Sequence, residues 1–211
     1  MTIDPQLDHL VYAVPDLAAA VSAFAAATGV HPVAGGRHLG RGTRNVLVGF
    51  GGSAYLEIIG PDVELPADDD ATVPFGVDTL TAPKLVTWAV HPPDIEAAAR
   101  ASAAAGADLG PIGPLSRRTP DGDLLEWRLA STVPAPLDGI TPFLIDWGTT
   151  AHPATAPGLP ALTLVELTAT HPDPDAVPAV LRALDVHLPV GPGPAALTAR
   201  LDTPRGPFVL T

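Results

Sequence analysis

The sequence predicts an α+β protein assembled from repeated strand–helix–strand units, and three observations carry that expectation. First, three segments share one design, an apolar strand, a Pro/Asp break and an alanine-rich helix: LDHLVYAVPDLAAAVSAFAAATG, PKLVTWAVHPPDIEAAARASAAAG and ALTLVELTATHPDPDAVPAVLRALDV. Second, the aspartates opening these helices, Asp16, Asp94 and Asp175, are spaced by 78 and 81 residues, the near-constant period of an internal repeat. Third, the material after each helix also repeats, as short strands divided by Gly- and Pro-rich turns.

Each element has a local reason. An aspartate just before an alanine-rich run accepts hydrogen bonds from the free amides of the first helical turn. Gly29 and Gly106 stand where a left-handed helix end is expected. Leu17, Val21 and Phe24 fall on one helical face, as do Val177, Val180, Leu181 and Leu184, so these helices can pack on a sheet. After the first helix come GGRHLGRGTRN, VLVGF, a Gly51-Gly52-Ser53 turn and AYLEIIG. After the second come PLSRRTPDGD, LLEWRLA, a proline-rich loop and PFLIDWG. Pro120-Asp121-Gly122 and the glycine pair are hairpin signals. The first two units, residues 1–60 and 84–149, therefore read βαβββ. The third, 160–211, reads as a shortened βαββ unit ending in AALTARLDTP and GPFVLT. Residues 61–83, with Asp68-Asp69-Asp70, and residues 149–160 are rich in proline and read as surface loops.

Composition removes several function classes. With 46% hydrophobic and 16% charged residues, the chain can fill a core and does not read as disordered. A net charge of −12, from 23 acidic against 11 basic residues, argues against nucleic acid and anionic membrane as partners. Cysteine is absent, which excludes disulfides, thiolate metal sites and cysteine nucleophiles. No apolar run approaches a membrane span, and MTIDPQLDHL lacks a basic region followed by an apolar core, so a cytoplasmic protein is expected. No Gly-x-Ser-x-Gly elbow or His-Glu-x-x-His motif is present, and the GRGTRN stretch at 40–45 does not open a helix as a phosphate loop would. No nucleotide cofactor is expected.

Two βαβββ units with histidine early in the first strand and glutamate in the last resemble the vicinal oxygen chelate superfamily, and within it the glyoxalase-like domain proteins. The residues that carry the resemblance are LDHLVYAVPDL at 7–17, GGRH and GRGTRN at 35–45, YLEIIG at 55–60, RRTPDGDLLEWRL at 117–129 and PFLIDWG at 142–148. The resemblance implies that the first two units pair into one domain, 1–149, an open cup in which they face each other across a ligand cleft. It also implies a divalent metal in many members, held by first and last strands and chelated by two substrate oxygens. The superfamily includes lyases, isomerases, dioxygenases, epimerases and sequestering proteins, so the fold alone does not choose a chemistry.

The resemblance places His9 and Glu57 on the concave face of the first half-cup. Imidazole with carboxylate suits zinc, manganese, iron or nickel, and Glu57 could also serve as a general base for a carbon-bound proton. Aligning AYLE with FLID puts Asp146 opposite Glu57 as a third ligand. Aligning the two first strands puts Leu85 opposite His9, which removes a fourth. His38 is a further candidate donor. Six of the eleven cations, Arg37, Arg41, Arg44, Arg117, Arg118 and Arg128, lie in two equivalent stretches, and a planar guanidinium holds carboxylate or phosphate at two points. The expected ligand is thus small and anionic or oxygen-rich, contacted by His38, Thr43, Arg44, Asn45, Arg118 and Trp127. Trp88 and Trp147 read as core or cleft wall, and His152, just after PFLIDWG, is the remaining histidine nearest the site. Two readings stay open: a metal-dependent lyase, isomerase or dioxygenase using His9, Glu57 and Asp146, or a metal-free binding protein using the same cleft. The unpaired edges of the third unit are to be covered by the first two units or by a second copy, and a homodimer is expected.

Overall fold

A computed structural model describes residues 4–211, so the first three residues of the expected first unit lie outside the described part. The first unit runs β1 (Leu7–Ala13), α1 (Leu17–Thr28), β2 (Val33–His38), β3 (Thr43–Gly49) and β4 (Tyr55–Pro61). The second runs β5 (Lys84–Val90), α2 (Ile95–Ala104), β6 (Gly113–Arg118), β7 (Leu124–Ala130) and β8 (Phe143–Asp146). Asp16 Oδ1 accepts from the amide of Ala19 at 3.0 Å, and Asp94 Oδ1 from that of Ala97 at 2.8 Å. These bonds start α1 and α2 where the aspartates predict. Gly29 closes α1 in the left-handed region (φ 77°), a conformation that costs glycine least.

The eight strands close into a barrel in the order β1-β4-β3-β2-β6-β7-β8-β5. Within each unit the first strand pairs parallel with the last, across the helix. The units meet at two seams. β1 lies antiparallel to β5 over most of its length, whereas β2 and β6 meet through only two residue pairs, Arg37 with Arg118 and His38 with Arg117.

The third unit runs β9 (Thr163–His171), α3 (Val177–Ala183), β10 (Val190–Pro192), β11 (Ala196–Thr203) and β12 (Gly206–Leu210). Its sheet order is β10-β9-β11-β12. The three-residue β10, bounded by prolines that hide it in the sequence, makes this unit βαβββ rather than βαββ. Asp175 does not cap α3: it lies in a 3₁₀ turn (Pro174–Ala176), and the helix begins at Val177 behind Ala176. The turn before Pro178 shifts the helix start past the aspartate.

One apolar core joins the outer face of the barrel to the third sheet. Leu10, Leu56, Leu85 and Trp88 pack with Val177, Val180, Leu197 and Leu201. Trp88 anchors this layer by donating from Nε1 to the carbonyl of Ile140 at 2.8 Å. A second apolar set, including Val11, Ile59, Trp127, Phe143, Ile145 and Trp147, lines part of the barrel interior. The 61–83 connector does more than cover the surface. Val77 is buried in the interior set, and Thr72, Pro74 and Phe75 line the mouth of the barrel cavity.

Candidate functional site

The site begins with an irregularity in β1. Its pairing with β5 passes from Leu7–Val90 directly to His9–Ala89, leaving Asp8 as the extra residue. A β-bulge breaks the alternation of side chains and re-aims them, and here it brings the Asp8 carboxylate and His9 imidazole together. His9 Nδ1 lies 2.6 Å from Asp8 Oδ1. Trp147 Nε1 donates to Asp8 Oδ2 at 2.9 Å, and His152 Nε2 lies 2.9 Å from the same oxygen. Ala154 donates its amide to His152 Nδ1, which leaves the His152 proton on Nε2, directed at Asp8. Burial pushes the Asp8 carboxyl up, but the hydrogen bonds and charges of His152 and His9 outweigh it and hold the group well below the ordinary carboxylate range. Asp8 is therefore an ionised acceptor. It fixes the His9 proton on Nδ1 and turns Nε2 toward the cavity, an orienting role familiar from catalytic dyads.

Glu57 faces that Nε2. Because side chains alternate on a strand, Tyr55, Glu57 and Ile59 of β4 all point inward, and each lines the cavity. His9 Nε2 is 3.7 Å from Glu57 Oε2, and His38 Nε2 is 3.7 Å from Glu57 Oε1. Both gaps exceed a hydrogen bond. Asn45 donates Nδ2 to Glu57 Oε1 at 2.5 Å and accepts from Arg117 Nη1 at 3.0 Å. His38 Nδ1 meets Thr43 Oγ1 at 2.9 Å. Burial, with Arg117 and His9 nearby, pushes His38 down to about 4 despite the attraction of Glu57, so its ring is neutral at neutral pH. Tyr55 stacks on His9 with ring centres 4.8 Å apart, and burial together with Asp8 and Glu57 raises its phenol well above the usual range.

The two halves of the barrel contribute differently. β1 to β4 supply His9, His38, Asn45, Tyr55 and Glu57, whereas β6 to β8 and the residues after them supply Leu115, Trp127, Leu129, Phe143, Ile145 and Trp147, with Arg117 as their one charge. The result is a cavity of about 180 Å³, polar on one wall and apolar on the other. That is the usual character of a small-molecule site.

Of the residues expected from sequence, His9, His38, Asn45, Glu57 and Trp127 line this cavity, and Thr43 is buried directly behind His38. Three expected residues do not. Arg44 sits between the inward Thr43 and Asn45 and Arg118 follows the inward Arg117, so both point to the outside of the barrel. Asp146 is likewise out of phase: Phe143 and Ile145 point inward, and Asp146 lies outside in an ion pair with Arg128. That pairing and the amide of Gly148 lower its pKa. The AYLE–FLID alignment sets Asp146 out of phase with Glu57, and on a strand an odd offset reverses every side chain. Leu85 also leaves the site, because the β1–β5 register steps from Val11–Thr87 to Tyr12–Leu85, skipping Val86. Sequence reasoning missed Asp8 and Tyr55 as site residues and chose the wrong member of the Arg117–Arg118 pair. Strict alternation from Trp127 across the hairpin could have favoured Arg117; nothing in the sequence signals the bulge at Asp8.

A family model described as a glyoxalase-like domain matches residues 7–184. The chain belongs to the glyoxalase-like domain family. This bears out the resemblance to vicinal oxygen chelate proteins. Among solved structures, the glyoxalase-like chain is similar to a hypothetical protein from Staphylococcus aureus, at 15% identity, 96% coverage of this chain, 84% of that one and a TM-score of 0.63. The fold is thus shared over nearly the whole chain, third unit included. Weaker likenesses are methylmalonyl-CoA epimerase from Mycobacterium tuberculosis (19% identity, 70% of this chain, 91% of that one, TM-score 0.40) and a mutant 4-hydroxymandelate synthase from Streptomyces coelicolor (17%, 99%, 63%, 0.49). No curated protein sequence matches.

The glyoxalase-like site does not fit the metal expected from the resemblance. His9 and His38 approach different oxygens of Glu57, and Asn45 already donates to one of them. The second half, from which ligands were expected, presents Phe143 and Ile145 instead. Among the described residues no three histidine, aspartate or glutamate groups form a metal-holding set, whereas zinc takes three or four protein ligands.

Proposed function

We propose that the barrel cavity receives a small organic anion with an apolar or aromatic body, and that His9 and Glu57 act on its reactive end without a resident metal. The observation that carries this reading is Arg117. It is buried in the cavity wall with one bond to Asn45, and its Nε has no partner. A guanidinium left short of acceptors inside a protein calls for an anionic group to complete it. The rings of Phe75, Trp127, Phe143 and Trp147 suit the apolar body. Beyond Asn45, which bridges Arg117 to Glu57, His9 Nε2 and the free oxygen of Glu57 are two acceptors turned toward the same space. A proton-transferring isomerase or lyase needs such acceptors to take a proton from carbon beside a carbonyl.

The test uses chelator-treated protein and calorimetry with aryl and short-chain carboxylates against their neutral amides. Carboxylates are expected to bind and amides not, with Arg117→Met abolishing the difference. Equal binding of amides, or a requirement for added metal, would refute the reading. A second reading, retention without turnover, is favoured by the four-ring lining. Loss of the α-deuterium label from a bound carboxylate, followed by NMR, separates the two: exchange identifies the enzyme, and binding without exchange identifies the carrier.

A further inference from the structure

A different feature stands on the outside of the β2/β6 seam. Cross-strand register sets Arg44 opposite Arg37 and Arg37 opposite Arg118, so three arginines stand in one row across β3, β2 and β6. Like charges directly opposite one another destabilise a sheet. Only the middle one is compensated: Arg37 pairs with Asp62 at 3.0 Å and with Glu64. Among the described residues neither Arg44 nor Arg118 forms an ion pair. Arg118 gives Nη1 to the carbonyl of Gly122 at 2.9 Å, and the Nε of Arg44 is buried without a partner. On a chain with 23 acidic residues, carboxylates are not scarce.

The row borders a groove of about 800 Å³, larger than the barrel cavity. Leu17 and Val21 of α1 form one side, and Leu39 and Leu65, 40% and 51% exposed, stand at the mouth. Exposed leucines beside uncompensated arginines form a surface with two chemistries. One part would shelter an alkyl chain from water, and the other would take two-point bonds from an oxyanion. We propose that this groove is a second ligand site, separate from the barrel cavity, for a single-chain amphiphilic anion whose carboxylate or phosphate head bridges Arg44 and Arg118. A bound head would supply the countercharge that the row lacks.

The proposal is tested by titrating octanoate, octyl phosphate and uncharged 1-octanol, all below their micelle limits, into ¹⁵N-labelled protein. The backbone amides of residues 36–39, 44 and 118 report on the groove. Octanoate or octyl phosphate is expected to shift them in wild type and in Arg117→Met, and whichever binds more tightly identifies the head group. The Arg44→Gln/Arg118→Gln double variant should bind about tenfold or more weakly, the loss expected when charge-assisted bonds are removed. Its melting temperature should hold or rise, because like-charge opposition is relieved. Leu65→Asp, at an exposed position outside the strands, should weaken binding as well. The proposal is overturned if neither anion moves these amides, if octanol moves them equally, if the double variant binds like wild type, or if Arg117→Met abolishes the response.

Discussion

Gly35 leaves the space that Arg117 occupies. A Cβ at Gly35 would stand 2.6 Å from Arg117 Nη1 and 2.3 Å from Asn45 Oδ1, closer than any carbon can approach these atoms. The guanidinium thus reaches Asn45 across a strand that has no side chain there, and Asn45 in turn holds Glu57.

The first prediction follows directly. Gly35→Ala should displace both partners, weaken carboxylate binding about tenfold and lower stability by about 1–3 kcal/mol, the range for overpacking a filled interior. Calorimetry and urea denaturation measure the two effects. Unchanged affinity would remove Arg117 as the anchor.

The buried carboxylate of Asp8 gives the second. It receives protons from His9, Trp147 and His152, and Asp8→Asn would turn an amide against one of those donors. A loss of about 3 kcal/mol is expected, as when one partner of a buried charged network is removed. The His9 ring should also lose its fixed proton on Nδ1, which ¹⁵N shifts of the imidazole would show. A variant as stable as wild type with the tautomer retained would contradict the orienting role.

The third concerns Glu57. Glu57→Gln keeps the shape and the Asn45 contact but removes a negative charge from the wall facing the ligand. Carboxylate affinity should rise a few-fold at low salt, in the direction Coulomb attraction to Arg117 dictates, while α-proton exchange disappears. Exchange that survives in Glu57→Gln would take Glu57 out of the proton transfer.

The fourth is a pH dependence. His38 titrates near 4 in the folded protein, against the ordinary 6.5, so between these values the unfolded chain binds the extra proton. Its contribution is complete above about pH 6.5 and is lost as pH falls toward 4, amounting to at most about 3 kcal/mol. Asp8, held low, weakens the fold only below the ordinary carboxylate range, so the His38 share of the fall between pH 6.5 and 5 is the part that removing its imidazole abolishes. Urea midpoints across that window should decline in wild type and flatten in His38→Gln.

Elements were legible where one residue acts on its immediate neighbours. Asp16 and Asp94 start helices through bonds three residues away, and Gly29 ends one by its own backbone. His9 and Glu57 could be placed together because the resemblance to vicinal oxygen chelate proteins supplies the pairing of first and last strands. Parity was harder. The odd offset at Asp146, the choice between Arg117 and Arg118, and the outward Arg44 all depend on bulges and register, which are set by the partner strand. Asp175 failed as a cap because Pro174 and Pro178 impose a 3₁₀ turn first. The role of Asp8 depends on contacts with Trp147 and His152, about 140 residues away.

The ring of strands is fastened unequally. β1 and β5 are joined over most of their length, but β2 and β6 by two residue pairs, with opposed arginines on the outer surface. Such a shell parts where it is least stitched, so the β1/β5 seam is the hinge and β2/β6 the lip. Amide hydrogens of residues 36–38 and 117–118 should exchange with solvent well before those of β1. Both His38 and Arg117 sit on that lip, so the seam that carries the outer arginines is also the thinnest part of the inner wall.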